Sequence, residues 1–317
     1  MKAISYIYLL IATIIWAFAP ALVKLALNDI DPIYFLFIRF LVVCIICLPY
    51  LFFVIIKRKY SKYDLKNLFL FSLSGQVSLI LFFKGLDLTT STDTIILSLI
   101  GPLLTIMAGH YFYREKIDLI KELGILLAFI GALLVVIEPL LSQSNGTAKD
   151  RFTGNLYVLI ATLIGTFWII YAKFLFGKNS VKFISLMKKF GFKLHKKIYN
   201  DVEFNIISFY ITFIIMIPFY IFNFDYYNTT TLFLTQNSIF VILYMAIFSS
   251  VIAYILYIKA QAKLEVTEVS ILTYISPLFA LPASYFILSE IPSTSAFIGL
   301  GVIFIGICIA EARKRPK

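Results

Sequence analysis

Residues 92–115, which read TDTIILSLIGPLLTIMAGHYFYRE, align without a gap with residues 267–290, which read TEVSILTYISPLFALPASYFILSE. Chance identity between apolar stretches is common, so the informative positions are those that hold polar, proline or glycine residues. In this single register the coincidences are Thr92 with Thr267, Pro102 with Pro277, Glu115 with Glu290, Lys84 with Lys259, Gly124 with Gly299, and Gly131 with Gly306. The chain therefore contains an internal repeat, and this repeat decides the fold.

Both copies of the repeat are too apolar for a soluble protein. Hydrophobic residues make up 61% of the 317 residues and charged residues 14%, against about 45–50% and about 25% in soluble domains. A membrane-spanning helix needs about 20 apolar residues. Ten stretches of 15 or more residues lack Asp, Glu, Lys and Arg, namely 3–23, 40–56, 67–83, 94–113, 123–137, 152–172, 204–224, 226–258, 269–289 and 291–310. We therefore predict ten transmembrane helices, the eighth of which should begin near Gln236 after a turn-like segment.

The two copies are predicted to enter the membrane from opposite sides. Two further matches, Lys24 on Lys173 and Pro49 on Pro218, extend the repeat through both halves, with insertions in the second half that change the register. Each half then holds five helices, and an odd number inverts the second copy. The expected fold is an all-α integral membrane protein of ten transmembrane helices in two inverted five-helix repeats, an arrangement typical of secondary transporters. The predicted boundaries are 1–140 for the first repeat, 141–153 for an outer linker and 154–317 for the second repeat.

The net charge of +11 at pH 7 has a topological explanation. With the N-terminus inside, 22 of the 28 Lys and Arg residues fall in predicted cytoplasmic segments and 3 in outer segments. Lys and Arg accumulate in the cytoplasmic loops of membrane proteins. We therefore expect a multi-pass protein of the plasma (inner) membrane with both termini in the cytoplasm. The dispersal of the basic residues argues against nucleic acid as a partner.

A basic insertion at residues 178–203 interrupts the second repeat on the predicted cytoplasmic side. Apolar residues recur in it at the spacing of one helix face, namely Phe183, Met187, Phe190, Leu194 and Ile198. This pattern indicates an amphipathic helix on the anionic inner leaflet, with a disordered basic loop as the alternative.

Short motifs are distributed over nearly the whole chain. They are Ile15-Trp16-Ala17-Phe18 leading to Lys24, Pro32 with Ile38-Arg39-Phe40 and Leu48-Pro49, Gly101-Pro102 with Ser276-Pro277, Arg114-Glu115 with Ser289-Glu290, and Gly124 and Gly131 with Gly299 and Gly306. In these motifs the chain resembles the drug/metabolite transporter superfamily, in its ten-helix branch with two EamA-type domains. The sequence departs from the pattern in its long 178–203 connection and in Ser208, which stands where the repeat of Arg39 would fall.

Polar and aromatic side chains within the predicted spans are candidates for a substrate site between the repeats. The candidate substrate-binding residues are Trp16, Ser74, Gln76, Trp168, Tyr171, Tyr254 and Tyr274, and Thr105, Ser249 and Thr273 are further cavity candidates. Helix packing explains each of these residues equally well when it is taken alone. Together they indicate a mostly apolar cavity for an amphipathic metabolite such as an amino acid.

Three cations interrupt the apolar sequence. Lys24 and Arg39 are candidate anion contacts that would bind a substrate carboxylate or phosphate, and Lys173 is the third cation. For the two lysines, snorkelling to a nearby interface is the alternative. Arg39 lies seven residues after Pro32, about 10 Å into its helix, so the interface explains it less well.

Pro102 and Pro277 occupy the same position in the two halves. Proline inside a helix leaves a carbonyl without its hydrogen bond, and in lipid that carbonyl needs protein or cavity water. The two residues are therefore candidates for kinks that shape or gate the cavity, with a packing kink as the alternative.

The combined features predict a secondary transporter, an exporter or a facilitator, that moves small organic metabolites by alternating access. A membrane-embedded lipid-handling protein or an integral membrane enzyme is the alternative, although the spans contain no catalytic cluster and we do not expect an enzyme. We expect no cofactor and no metal site, since no Asp or Glu lies deep in a predicted span. The expected partners are the lipid bilayer and a small-molecule substrate, and the sequence leaves monomer and homodimer open.

Overall fold

A computed structural model describes residues 2–57, 61–114, 117–142, 147–176, 180–189, 191, 199–222, 234–264, 268–269 and 273–311. The helices are α1 (Lys2–Leu27), α2 (Pro32–Lys57), α3 (Lys62–Leu88), α4 (Ser91–Ser98), α5 (Ile100–Tyr113), α6 (Leu119–Ser142), α7 (Thr147–Phe176), α8 (Val181–Lys189), α9 (Asp201–Phe222), α10 (Gln236–Tyr244), α11 (Tyr254–Lys263), α12 (Ser276–Leu288) and α13 (Thr294–Glu311). Between α10 and α11, residues Met245–Ala253 form a π-helix, which we call the π segment. These ranges contain no strand, so the predicted all-α class is confirmed.

Within the described ranges, eight helical stretches are long and apolar enough to cross a membrane. They are Ala3–Leu27, Pro32–Phe53, Lys62–Leu88, Ser91–Tyr113, Leu119–Leu141, Ala148–Phe176, Val202–Phe222 and Gln236–Lys263. Two shorter apolar helices, Ser276–Leu288 and Thr294–Ala310, follow them. Large apolar side chains on these helices are exposed, for example Phe222 (87%) and Phe286 (81%), as a lipid-facing surface requires. The chain is a multi-pass membrane protein, and its helix predicted near Gln236 begins at that residue.

The helix ends recur in the register that aligns Thr92 with Thr267 in the sequence. α3 ends at Leu88 and α11 ends at Lys263, while α5 ends at Tyr113 and α12 ends at Leu288. Sequence identity is low at these positions, so the common feature is the backbone. The two halves therefore end corresponding helices at corresponding residues.

Arg114 and Ser289 share an uncommon backbone conformation. Their φ angles are 58° and 57°, and in the described ranges they are the non-glycine residues with positive φ. Each residue caps the end of a helix, and its N–H donates to the carbonyls of the residues four and five positions earlier. Residues with a side chain rarely adopt this left-handed conformation. Its presence at two positions that the repeat register aligns is a backbone signature of the repeat.

Pairs of packed helices also correspond between the halves. α3 packs on α7, and its counterpart, the π segment with α11, packs on α1. Likewise α1 packs on α12, and its counterpart α7 packs on α4 and α5. Two further pairs, α2 with α9 and α6 with α13, join each helix to its own counterpart. For these pairs the packing keeps its pattern when the two halves are exchanged.

Glycines bring α6 and α13 into close contact. A Cβ atom on Gly124 would lie 2.6 Å from the carbonyl oxygen of Gly306, and one on Gly131 would lie 2.9 Å from that of Gly299. Real Cβ atoms cannot approach a carbonyl this closely without a shift of the backbone, and small residues are the usual solution at helix interfaces in membranes. The four glycines therefore fix the distance between these two helices.

The 178–203 insertion contains a helix, but its apolar side packs on protein. Phe183 and Met187 of α8 are buried, and the ring centre of Phe183 lies 5.4 Å from that of Phe112 and 5.5 Å from that of Phe174. These two side chains are covered by α5 and α7, so the expected contact with the lipid leaflet is wrong for them. Phe190, Leu194 and Ile198, the rest of the expected apolar face, lie outside the described residues.

Replacing Gly306 by Ala should destabilise the protein by about 1–3 kcal/mol. The new methyl group would meet both the carbonyl oxygen of Gly124 and the backbone nitrogen of Ala128 at 2.6 Å, so α6 and α13 would have to separate. The measurement is unfolding of the purified protein in detergent. Gly301→Ala on the same helix is the matched control, because a Cβ atom there meets nothing within 4 Å. An equal loss in both variants would contradict the close-contact explanation.

Candidate functional site

A central cavity of about 380 Å³ lies between the two halves of the bundle. Its walls come from α1, α3, α4, α5, α7, the π segment, α11 and α12, with one residue from α2. The wall surface is mostly apolar. Its polar and amphipathic residues are Thr13, Trp16, Arg39, Ser78, Ser98, Thr105, Thr162, Thr166, Trp168, Ser249, Tyr254, Tyr257, Thr273 and Ser276. This volume and mixture suit a small organic molecule with a few polar groups.

Four aromatic residues form one wall of the cavity. The ring of Trp16 lies 5.2 Å from that of Tyr254 and 5.0 Å from that of Tyr257, measured between ring centres. The ring of Trp168 lies 5.7 Å and 6.4 Å from the same two rings. Trp16 and Trp168 are the two tryptophans of the chain, and they come from corresponding helices of the two halves. The wall thus provides apolar area with polar edges for a ligand.

The π segment forms a second part of the wall. The hydroxyl of Ser250 donates to the carbonyl of Met245, five residues earlier, so this side chain is held against the backbone of its own segment. The indole Nε1–H of Trp16 donates to the carbonyl oxygen of Ser249 at 3.1 Å and joins the segment to α1. π-helical turns occur frequently at functional sites. Here the segment places two serine hydroxyl groups against Arg39.

Arg39 is the charged residue among the described residues of the cavity wall. Its side chain is 1% exposed. Its Nε donates to the hydroxyl of Ser250 at 2.9 Å, and its Nη2 donates to that of Ser249 at 3.4 Å. The guanidinium carbon lies 5.5 Å and 5.9 Å from the ring centres of Phe40 and Phe83. Nη1 has no hydrogen-bond partner among the described residues, and no Asp or Glu belongs to the described cavity wall. A buried cation without an anion is costly, so this arrangement points to a function.

Pro102 and Pro277 both line the cavity, but each lies near the start of a helical segment. The fourth span is interrupted at Leu99, and Pro102 is the third residue of the segment α5 that follows. Pro277 lies at the first positions of α12. Proline is well tolerated there because the N–H groups of the first turn have no intrahelical partner. The expected mid-helix kink is therefore an interruption of the helix beside the cavity.

Four predicted substrate-binding residues lie outside the described cavity wall, namely Ser74, Gln76, Tyr171 and Tyr274. The hydroxyl of Ser74 donates to the carbonyl of Phe71 in its own helix, and the amide of Gln76 lies 2.7 Å from the sulfur of Met216. The hydroxyl of Tyr171 donates to the side chain of Asn67. Tyr274 packs against the apolar core around α6 and α13. Their assignment to substrate binding stays a prediction. Trp16, Trp168 and Tyr254, in contrast, share the cavity with Arg39.

Two kinds of cavity residue are missing from the predicted set. Tyr257 was detectable, since it follows Tyr254 by three residues and residues so spaced share a helix face. Ser78 and Thr166 carried no such signal, because Ser and Thr also occur throughout spans as partners of their own backbone. Thr166 does this here, donating to the carbonyl of Thr162 at 2.9 Å.

Lys24 and Lys173 make the same kind of contact at the ends of two corresponding helices. The Nζ of Lys24 donates to the carbonyl of Leu86 at 2.9 Å and to the next carbonyl at 2.6 Å, at the end of α3. The Nζ of Lys173 donates to the carbonyl of Gln261 at 3.0 Å and to that of Leu264, at the end of α11. Carbonyls in the last turn lack intrahelical partners, and a cation there is favourable. Neither lysine belongs to the described cavity wall, and Lys24 as an anion contact stays a prediction.

Polar contacts link the helices at one end of the bundle. We call this end the Glu290 end, and its polar residues are Lys24, Asp93, Glu138, Arg151 and Glu290. The carboxylate of Glu290 accepts a hydrogen bond from the N–H of Thr92 at 3.1 Å and so joins the segment after α12 to the first turn of α4. Arg151 bridges Asp93 at 2.7 Å and Glu138 at 3.1 Å. Burial raises the pKa of Glu290, and this effect exceeds the lowering by Thr92 and Lys24.

A second set of polar contacts links the helices at the opposite end. We call this end the Glu268 end, and its polar residues include Tyr6, Asn67, Tyr199 and Glu268. The hydroxyl of Tyr6 donates to the carboxylate of Glu268 at 2.9 Å. The hydroxyl of Tyr199 donates to Asp64 at 2.7 Å, and the amide of Asn67 donates to Tyr199 at 2.8 Å. Polar contacts therefore link the helices at both ends of the bundle.

Potential metal ligands do not cluster in the parts of the chain that the structure describes. No group of three His, Cys, Asp or Glu residues there could hold a metal ion. Cys44 and Cys47 are buried in α2, and Cys308 is exposed on α13.

Comparison with known proteins gives one family and several relatives. The sequence model of the EamA-like transporter family matches residues 3–137 and 190–311. An uncharacterized transporter of Archaeoglobus fulgidus is 25% identical over 316 residues, 99% of each chain. The uncharacterized transporter YetK of Bacillus subtilis is 27% identical over 286 residues, 88% of this chain and 78% of that relative. A protein solved by crystallography has a similar fold, with a TM-score of 0.64 over 98% of each chain at 12% identity.

Replacing Lys24 by Met should destabilise the protein by about 1.5–3 kcal/mol, because the last carbonyls of α3 lose a charged donor. The measurement is unfolding in detergent. Lys84→Met is the matched control, since Lys84 lies on α3 near the same end and is exposed. If both variants were as stable as the parent protein, the capping role of Lys24 would be wrong.

Proposed function

Because the chain belongs to the EamA-like transporter family, we propose that it is a secondary transporter that moves small organic metabolites by alternating access. A membrane transporter of the drug/metabolite type agrees with the family and with the names of its relatives. The observation that carries the finer proposal is the central cavity of about 380 Å³, which residues of both halves line. The polar contacts at the two ends of the bundle would act as gates, so release of a substrate would require the contacts at one end to open.

We propose ten spans in two inverted repeats, 1–140 and 154–317, joined by a linker at 141–153. The recurrence of helix ends, of left-handed residues and of lysine contacts at corresponding positions supports this arrangement. The distribution of 22 basic residues against 3 supports cytoplasmic termini in a plasma (inner) membrane. With this orientation the Glu290 end faces outside and the Glu268 end faces the cytoplasm.

Within the cavity, Trp16, Trp168 and Tyr254 would hold the apolar body of the substrate, and Tyr257 completes this wall. Pro102 and Pro277 begin the helical segments that border the cavity, so the interruptions before them are the places where α5 and α12 could tilt. We assign the substrate contacts to the aromatic wall and the movement to these two helices.

The outer closure would involve Glu290. Its contact with the N–H of Thr92 links the second half to the start of α4 in the first half.

Replacing Trp168 by Ala should lower saturable uptake of a radiolabelled amino acid mixture into proteoliposomes by about tenfold, because the wall loses the ring contacts of Trp168 with Tyr254 and with Tyr257. Phe286→Ala is the control for loss of an aromatic side chain, since Phe286 is 81% exposed on the lipid-facing surface. Redistribution of a labelled lipid without flux of any metabolite would favour the lipid-handling alternative and contradict the carrier.

Replacing Glu290 by Gln should flatten the acid side of the pH profile of transport. In the closed conformation burial raises the pKa of Glu290 above its ordinary value of 4.5, and in an open conformation with the carboxyl in water the pKa would be ordinary. The closed conformation then binds the proton more tightly, so acid favours closure and slows opening of this end. The measurement is the rate of substrate exchange across the proteoliposome membrane, recorded at several pH values from neutral to about pH 5.

Other charged groups that act on Glu290 are Lys24 and Asp93, and both remain in the Glu290→Gln variant. Glu122→Gln is the matched control, because Glu122 is an exposed acid in the first turn of α6, at the opposite end. A pH profile of Glu290→Gln identical to that of the parent protein would exclude Glu290 as the titrating group.

A further inference from the structure

The charge of the central cavity identifies the chemistry of its ligand. Among the described residues of the wall, Arg39 is the single charged residue, and no Asp or Glu accompanies it. A guanidinium cannot lose its proton in a protein, so the cavity keeps one positive charge at any physiological pH. A ligand with one negative charge neutralises the cavity. A dianion such as a phosphate monoester would leave a net negative charge, and a cation would add a second positive charge.

The hydrogen bonds of Arg39 leave one edge of the guanidinium incompletely paired. The Nε edge is occupied by the hydroxyl of Ser250, which in turn donates to the carbonyl of Met245 and is thereby fixed. Nη2 makes one long contact of 3.4 Å to Ser249, and Nη1 has no partner among the described residues although it is buried. The edge between Nη1 and Nη2 is the one that binds both oxygens of a carboxylate in a fork.

The surroundings of Arg39 favour an apolar body attached to that carboxylate. The aromatic wall of Trp16, Trp168, Tyr254 and Tyr257 belongs to the same cavity. An ammonium group on the ligand would find only aromatic faces and hydroxyl groups there, since no described carboxylate lines the wall. The site is thus complementary to a carboxylic acid and only partly complementary to the corresponding amino acid.

We propose that Arg39 binds the carboxylate of the transported substrate and that the cavity selects amphipathic monocarboxylates over organic cations, with zwitterionic amino acids in between. This inference rests on the proposed transport function, because it takes the central cavity as the substrate site. It goes further by assigning the class of substrate and the residue that sets the class.

The test is a binding experiment on the full-length protein in nanodiscs with three matched sets of ligands. The sets are 3-phenylpropionate, phenylalanine and phenethylamine; 4-methylpentanoate, leucine and isopentylamine; and propionate, alanine and ethylamine. Both tryptophans of the chain line the cavity, so quenching of tryptophan fluorescence reports occupancy of this site directly. Within the set that binds best, we expect the acid to bind at least about tenfold more tightly than the amine.

Variants of Arg39 separate binding from folding. Arg39→Gln should weaken binding of the best acid at least about tenfold, and Arg39→Lys should retain part of it, since Lys keeps the charge and loses the fork. Arg39→Met should abolish binding yet leave the melting temperature of the ligand-free protein unchanged or higher, because replacing an unpaired buried charge by an apolar side chain of similar size relieves its cost. A purely structural Arg39 would instead give a lower melting temperature in Arg39→Met and unchanged binding in Arg39→Lys.

The proposal is overturned if no acid of the three sets quenches saturably, if the amines bind as well as the acids, or if Arg39→Gln binds the best acid like the parent protein. Lys84→Met, which removes an exposed cation outside the described cavity wall, controls for a general effect of charge. Saturable metabolite uptake without preference for acids would refute this inference and leave the carrier intact. Binding of acids without uptake of any metabolite would refute the proposed transport function and would still support the carboxylate site at Arg39.

Discussion

A backbone carbonyl at the end of a helix needs a donor, and lipid supplies none. This constraint applies to α3 and α11, because both helices pack on other helices of the bundle and their last carbonyls need donors there. Lys24 and Lys173 supply the donors in the two halves, at the last carbonyls of corresponding helices. The contacts tie α1 to α3 and α7 to α11, and three of these helices, α1, α7 and α11, carry the tryptophans and tyrosines of the cavity. The two lysine contacts thus help to hold the helices of the aromatic wall together.

Close backbone contact occurs both away from the cavity and beside it. Glycines set the distance between α6 and α13, and neither helix contributes to the described cavity wall. Gly85 and Gly154 bring α3 and α7, two helices of the wall, equally close. Helical interruptions, in contrast, lie at the cavity, at Leu99 before Pro102 and just before Ser276.

The sequence is sufficient for the repeat and for much of the site. Polar, proline and glycine residues keep the register of the two halves visible, and the same register reappears in helix ends and in the left-handed residues Arg114 and Ser289. The depth of a residue along its helix can also be predicted from the sequence, as the position of Arg39 shows. The rotation of each helix about its own axis cannot be predicted, since helices that are apolar on every side have no amphipathic pattern. Gln76 and Tyr171 are therefore expected in the cavity and lie outside its described wall.

The π segment is invisible in the sequence for a different reason. A π-helix differs from an α-helix by the partner of each carbonyl, and residue types such as Ser249 and Ser250 are common in both. Only the three-dimensional contacts of Trp16 and Arg39 with this segment show why the wider turn is useful there. Local strain of this kind is usually found where the function needs it.

The asymmetry between the halves has an electrical consequence. Ser208 stands where the second half would repeat Arg39, so the cavity wall as described carries one positive charge instead of two. Across a membrane, each elementary charge that changes its position in the field exchanges about 2.3 kcal/mol per 100 mV with the membrane voltage. In the proposed transport cycle, an empty cavity with Arg39 would be subject to this force when access switches between the two sides, whereas a cavity neutralised by its ligand would not. Membrane voltage would then act on the return of the empty protein, and the occupant of Arg39 would determine which half of the cycle the cell can drive.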